Sequence, residues 1–142
     1  MLSLFRTFLC FALLAFAVPT VPACAADASA AEVQTIITGQ IEAFRHDDGA
    51  KAYSFASRDI QMMFPNPDMF MNMVRSGYAA VYHPQQFQFG PFSTNGDRLQ
   101  QIVEITAADG TAWTAEYSLS RAPDGTLKIT GCRLSKRPGV GA

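Results

Sequence analysis

The stretch that decides the fold is FQFGPFSTNGDRLQQIVEITAADGTAWTAEYSLSRAPDGTLKITGCRLS, residues 87–135. Apolar and polar residues alternate along most of it with a period of two, which is the pattern of half-buried β-strands. Asn95-Gly96, Asp109-Gly110 and Asp124-Gly125 divide the stretch, and such dipeptides are typical of tight hairpin turns. The stretch therefore predicts four antiparallel strands that follow one another as a meander.

The predicted strands cover residues 87–94, 99–106, 111–121 and 126–135. In the last of them the alternation changes phase, because Leu127 and Ile129 have one parity whereas Cys132 and Leu134 have the other. One extra residue would return both pairs to the same face, and glycine is frequent at such irregularities. The sequence thus predicts a β-bulge near Gly131.

Upstream of residue 85 the apolar residues recur with helical spacing. Helices are predicted over residues 30–46, 49–56 and 67–76, with an irregular or helical turn beginning at Ser57. Ser29, Asp48 and Asn66 are the expected N-caps of the three helices. Helices followed by an antiparallel meander predict an α+β fold, in which about three N-terminal helices pack on one face of a curved four-stranded sheet.

The first 26 residues have the pattern of a cleavable signal peptide. Arg6 precedes an apolar run of about 12 residues, fewer than the ~20 that a membrane-spanning helix needs. Pro19 follows the run, and Ala23-Cys24-Ala25 then supplies small residues for cleavage. We expect a periplasmic or secreted protein. Cys24 leaves open whether the mature protein is soluble or anchored by a lipid on that cysteine.

Removing 26 of 142 residues leaves 116, the size of a single domain over residues 27–142. Loose ends are expected near residues 27–31 and 136–142. Without Arg6 the 11 basic residues become 10 against 12 acidic ones, a net charge of about −2. That balance gives no long-range attraction to nucleic acid or to an anionic membrane. We therefore expect no nucleic-acid partner, and no membrane span in the mature chain.

Two groups of sulfur residues invite a functional interpretation. Cys132 is the single cysteine expected in the mature chain, and its strand parity favours burial over reactivity. Five methionines crowd between Met62 and Met73, and thioethers are soft ligands that select Cu(I). Met69 and Met73 share a helical face whereas Met71 points away. We therefore expect Met69 and Met73 to pack in the core and no metal to be bound.

Aromatic residues with a hydroxyl or an indole N–H group are the best candidates for a ligand pocket, since pockets are mostly apolar with a few polar groups. The candidates are Tyr53, Tyr78, Tyr82, Trp113 and Tyr117. His46 beside Asp47 could form a base with its orienting carboxylate, but no histidine spacing indicates a metal site. Arg75 and Glu116 are expected at the surface. The sequence identifies no catalytic residue and no cofactor.

Three blocks of the chain resemble a known family. They are Gln40–Arg45 with Phe55-Ala56-Ser57, Gly77-Tyr78 with Val81-Tyr82-His83-Pro84, and Trp113 and Tyr117 with Lys128–Cys132. The family is one of small exported bacterial proteins known as domain of unknown function 4864. The order of helices and strands is also similar to the nuclear-transport-factor-like cone fold, a resemblance that implies a pocket between the sheet and the helices. That fold hosts enzymes, binders and scaffolds, so it does not decide function.

Four functions therefore stay open. The first is a module that binds a small molecule or a protein through the cleft between sheet and helices. The second is a small cone-fold enzyme that performs acid–base chemistry. The third is a Cu(I)-handling protein that uses the Met62–Met73 segment, and the fourth is a structural partner, such as a homodimer, that associates through the open sheet face.

Overall fold

The structure, a computed structural model, describes residues 28–139, so the predicted signal peptide lies outside the described residues. The fold is α+β, with five helices followed by four strands. The helices are α1 (Ala30–Arg45), α2 (Gly49–Ser54), α3 (Arg58–Met63), α4 (Pro67–Gly77) and α5 (Ala79–Tyr82). The strands are β1 (Gln86–Asn95), β2 (Arg98–Thr106), β3 (Ala112–Arg121) and β4 (Leu127–Lys136). They form one antiparallel sheet in the order β1-β2-β3-β4.

The predicted α+β class and the four-stranded meander are confirmed. The number of helices is larger than predicted, because the turn after Ser57 becomes α3 and the segment between α4 and β1 contains α5. These two helices have only six and four residues. Elements so short do not complete a recognisable amphipathic repeat, which is why periodicity identifies them poorly.

Side-chain caps mark where α1, α2 and α4 begin. Ser29, Asp48 and Asn66 accept hydrogen bonds from backbone amides three residues later, at 3.2, 3.0 and 2.9 Å. Each bond satisfies an amide that has no partner inside its helix. Near the ends of the described residues, Ala28 is buried and β4 continues to Lys136.

The core lies between α1 and the inner face of the sheet. Val33, Ile37 and Ile41 are fully buried on α1, as predicted from their helical spacing. They share the core with buried residues of the two central strands, namely Leu99, Val103, Ile105, Ala115, Tyr117 and Leu119. Burying one such aliphatic side chain contributes about 1.5–3 kcal/mol. Gly39 lies within α1 for a packing reason, because a Cβ there would stand 2.6 Å from Phe55 Cζ.

The outer face of the sheet is polar. Glu116 accepts hydrogen bonds from Gln100 (3.2 Å) and Arg133 (2.8 Å), and Glu104 accepts one from Gln88 (3.2 Å). Such cross-strand pairs suit a face that meets water. In the part of the chain that the structure describes, no helix is long and apolar enough to cross a membrane.

Two β-bulges interrupt the sheet, one in each edge strand. In β1 the pairing to β2 shifts between Phe89 and Phe92. In β4 the residue Thr130 is extra, because Ile129 pairs with Leu119 and Gly131 pairs with Ser118. The predicted bulge near Gly131 is therefore present, one residue earlier than the glycine. It returns Cys132 to the inner face, where this residue lies directly opposite Tyr117.

Candidate functional site

A pocket opens between the helices and the β4 end of the inner sheet face. Its volume is about 340 Å³, near the lower end of the roughly 300–1,000 Å³ typical of ligand pockets. Most of its walls are apolar, and none of the described residues that line it is charged. The lining residues are Gln40, Phe44, Ala56, Ile60, Met63, Phe64, Phe70, Met73, Val74, Tyr78, Val81, Tyr117, Ile129, Thr130, Gly131 and Cys132.

The helical wall is tied to the sheet through the free edge of β4. The Ile129 amide donates to Phe55 O (2.9 Å), and the Ser57 amide donates to Ile129 O (2.8 Å). These bonds pair the connector between α2 and α3 with β4 immediately before the Thr130 bulge. They cover the edge of β4 at this point and hold the connector beside the pocket. Met63 and Thr130 are the exposed lining residues, so they mark the mouth of the pocket.

The pocket lining includes a buried hydroxyl that has no hydrogen-bond partner. Tyr117 is 1% exposed, and its hydroxyl is the one fully buried side-chain oxygen or nitrogen within residues 28–139 that has no hydrogen-bond partner. Leaving such a group unpaired costs about 1–3 kcal/mol. An unpaired buried group in a native structure requires an explanation, and a role in binding is one.

Cys132 lies directly opposite Tyr117 across the strand pair, and it is half-buried. Burial raises the pKa of the Cys132 thiol to about 12. Burial, with the nearby thiol as a smaller cause, also raises the pKa of the Tyr117 hydroxyl well above its ordinary value. Both groups therefore keep their protons at neutral pH, and the pocket is uncharged.

Gln40 supplies a third polar group. Its side chain is buried, and its Nε2 donates to Ala52 O at 3.2 Å. Its Oε1 accepts no hydrogen bond from a described residue. The prediction did not include Gln40, although a signal existed, since a glutamine interrupts the apolar stripe of α1 between Ile37 and Phe44.

Of the five aromatic candidates, the structure brings Tyr78 and Tyr117 together in the pocket lining. Tyr53, Tyr82 and Trp113 lie outside that lining. The Tyr53 hydroxyl donates to Phe64 O (2.7 Å) and so supports the wall between α2 and α3. Trp113 is half-buried near the start of β3, whereas Tyr117 lies in the middle of that strand.

Tyr82 belongs to a cluster on the surface. Its hydroxyl donates to Asp47 Oδ1 and accepts a hydrogen bond from Arg75 Nε (3.0 Å). His83 Nε2 lies 3.5 Å from the same Asp47 oxygen. Asp47 therefore meets His83, not its sequence neighbour His46, which caps the end of α1. Arg75 is exposed and Glu116 lies on the outer sheet face, as expected for surface charges.

The methionine prediction is wrong for two residues. Met69 is 48% exposed, whereas Met71, expected to point away from the core, is 3% exposed. Met71 packs toward α2, where a Cβ on Gly49 would lie only 3.0 Å from Met71 Cγ. The reason is that α2 packs against α4 on the side that carries Met71. Met73 is half-buried and lines the pocket, while Met62 is exposed. Met63 also lines the pocket, so these five methionines have different surroundings.

The model of the family called Domain of unknown function (DUF4864) matches residues 26–142. The chain belongs to this family. No curated protein matches its sequence. Among solved structures, an NTF2-like protein of unknown function from Silicibacter pomeroyi DSS-3 superposes with a TM-score of 0.53 at 15% identity. That likeness covers 75% of this chain and 94% of the other.

A second NTF2-like protein of unknown function, from Shewanella baltica OS155, has a TM-score of 0.49 at 11% identity, over 80% of this chain and all (100%) of the other. At such identities a likeness shows the fold alone, and of these two structures the first has the TM-score above 0.5. The DUF4864 chain thus has an NTF2-like fold, as the order of its helices and strands predicted.

Proposed function

We propose that this DUF4864 protein is an exported binding protein that holds a small, mostly apolar molecule in the pocket between its helices and its sheet. The observation that carries the proposal is an apolar pocket of about 340 Å³ that contains a buried hydroxyl without a partner. Apolar walls favour an apolar ligand through the hydrophobic effect, and a few polar groups fix its orientation.

The composition of the lining supports binding over acid–base chemistry. No carboxylate or histidine is present among the described residues that line the pocket. Its titratable groups are Tyr78, Tyr117 and Cys132, and the last two hold their protons at neutral pH. A general base needs a pKa near the working pH, which neither of these two groups has.

A neutral fluorescent probe tests the pocket directly. N-phenyl-1-naphthylamine should bind saturably to the wild-type protein, with enhanced fluorescence because the site excludes water. Met73→Trp places a larger side chain in the pocket wall and should weaken probe binding at least tenfold. Met69→Trp is the matched control, because Met69 lies on the same helix but is exposed and outside the lining.

Equal probe binding by the wild type and by both tryptophan variants would contradict the proposal. The melting temperature of each variant must be measured beside the titration, because a loss of binding counts only in a folded protein. If the Met73→Trp variant does not fold, Ile60→Trp changes another half-buried residue of the lining in the same way.

Export is the second part of the proposal. It is supported by the leader pattern of residues 1–26, and the family match begins at residue 26, where that leader ends. Intact-mass measurement of the protein from the bacterial envelope should give a chain that begins near Ala26 or Asp27 and carries no lipid. A chain that retains Met1, or a diacylglyceryl mass on Cys24, would contradict this part.

A further inference from the structure

Tyr117 lines the pocket, and its hydroxyl has no hydrogen-bond partner among residues 28–139. Its ring is buried on the inner face of β3, between Gln101 on β2 and Cys132 on β4. The Gln101 amide group is already occupied, because Nε2 donates to backbone carbonyls of the β1 bulge and Oε1 accepts from Gln34 Nε2 (3.2 Å). The remaining neighbour, the Cys132 thiol, is a weak donor and a weak acceptor.

The charge of the lining limits what can fill the pocket. An ionised ligand would lose its hydration without gaining an opposite charge, because no charged side chain lines the pocket among residues 28–139. Burial of an unpaired ion costs far more than burial of a neutral polar group. A carboxylate, a phosphate or an ammonium group is therefore a poor fit for this pocket.

The direction of the hydrogen bond follows from the protonation of Tyr117. A buried hydroxyl that keeps its proton has one strong donor to offer, and buried donors without partners are rarer than under-used acceptors. A carbonyl oxygen has two lone pairs and no proton, so it complements such a donor. The apolar remainder of the molecule would then contact Phe44, Phe70 and Val74.

Resting on the proposed binding function, we infer that the ligand is a neutral, mostly apolar carbonyl compound, such as a ketone, an aldehyde or an ester, whose oxygen accepts the Tyr117 hydrogen bond. The hydroxyl acts here as an orienting donor, and no covalent step is involved.

Three probes on one hydrocarbon frame separate these ideas: 2-acetylnaphthalene, 2-ethylnaphthalene and 2-naphthoate. Binding is followed by the NMR shifts of the Val74 and Ile129 methyl groups, which line the pocket. Tyr117→Phe keeps the ring and removes the hydroxyl. This variant should bind the ketone about threefold to tenfold more weakly, which corresponds to one net hydrogen bond. Its affinity for the hydrocarbon should be unchanged.

Comparing the two proteins for each probe cancels the different solubilities of the probes in water. Tyr78→Phe is the matched control, because it removes the other tyrosine hydroxyl of the lining and should leave the ketone affinity intact. 2-Naphthoate should bind most weakly to every protein, because its carboxylate finds no cation in the pocket.

The outcomes distinguish the two proposals. If the ketone binds wild type and Tyr117→Phe equally, or if naphthoate binds most tightly, the inference is overturned while the binding function stands. If none of the three probes shifts the pocket methyl groups, the binding function itself fails and the inference falls with it.

Discussion

The two bulges of the sheet differ in what fills them. In β1, the Gln101 side chain lies fully buried beside the bulge and donates to Gly90 O (2.9 Å) and Ile102 O (2.7 Å). In β4, the bulge at Thr130 borders the pocket. Phe92, Gln101, Tyr117 and Cys132 form one row of paired residues across the sheet, from the first bulge to the second.

Along this row the polar groups change from satisfied to unsatisfied. The Gln101 amide uses both its nitrogen and its oxygen, whereas the Tyr117 hydroxyl beside it uses neither its proton nor its lone pairs. A bulge bends a strand and re-aims its side chains, which a protein can use either to stabilise a sheet or to shape a site. The comparison indicates that the β1 bulge is structural and that the β4 bulge belongs to the pocket.

The largest expected effect concerns the packing of α4, where Met71 is buried and Met69 is exposed. Met71→Ala should lower the free energy of unfolding by about 2–5 kcal/mol, because a buried large side chain is truncated. Met69→Ala, two residues earlier and 48% exposed, should change it by less than about 0.5 kcal/mol. Urea denaturation measures both values. Equal effects would show that α4 is not packed as described.

A smaller loss is expected when the β1 bulge is emptied. Gln101→Leu should lower the free energy of unfolding by about 1–3 kcal/mol, because the carbonyl groups of Gly90 and Ile102 lose the donor that Gln101 supplies. Gln100→Leu is the control, since Gln100 lies on the outer face and meets Glu116 there. A Gln101→Leu protein as stable as wild type would remove the structural role assigned to this bulge.

The free energy of unfolding should fall at alkaline pH because of Cys132, which lines the pocket. The pKa of Cys132 is raised by burial from 9.0 to about 12, so the folded state retains a proton that the unfolded chain loses above pH 9. The contribution is complete below pH 9 and is lost as the pH rises toward 12. At pH 10 the loss from this group is about 1.4 kcal/mol relative to neutral pH.

Cys132→Ala isolates that contribution. Its free energy of unfolding should fall by about 1.4 kcal/mol less between pH 7 and pH 10 than that of the wild type, both measured with a reducing agent present. Native thiol labelling of the wild type at pH 7 should also be slow and become fast in denaturant. Identical pH dependence in the two proteins, together with fast native labelling, would indicate an exposed thiol.

The smallest effect has the opposite sign. Tyr117→Phe should leave stability unchanged or raise it by up to about 1 kcal/mol, because the variant removes a buried hydroxyl that has no partner. Gln101→Leu, at the neighbouring position of the row, should destabilise. A clear loss of stability in Tyr117→Phe, measured by urea denaturation, would mean that the hydroxyl is already satisfied in the free protein. The difference described between Gln101 and Tyr117 would then be wrong.

The sequence by itself determined the α+β class, the four strands and the three main helix starts. The reason is that these features are local. Alternation with a period of two, Asn-Gly and Asp-Gly turns, and capping residues such as Ser29 act over a few residues. The change of parity between Ile129 and Cys132 even predicted the second bulge, because every inward residue of a strand must reach the same core.

Only the tertiary structure decided which residues form the pocket. The sequence offered five aromatic candidates of equal standing, and packing placed Tyr78 and Tyr117 in one cavity with Gln40 and Cys132. The same packing reversed the roles of Met69 and Met71, because α2 covers the side of α4 that looked free. A helical or strand period shows which residues share a face, but which face is covered depends on contacts between segments far apart in the chain.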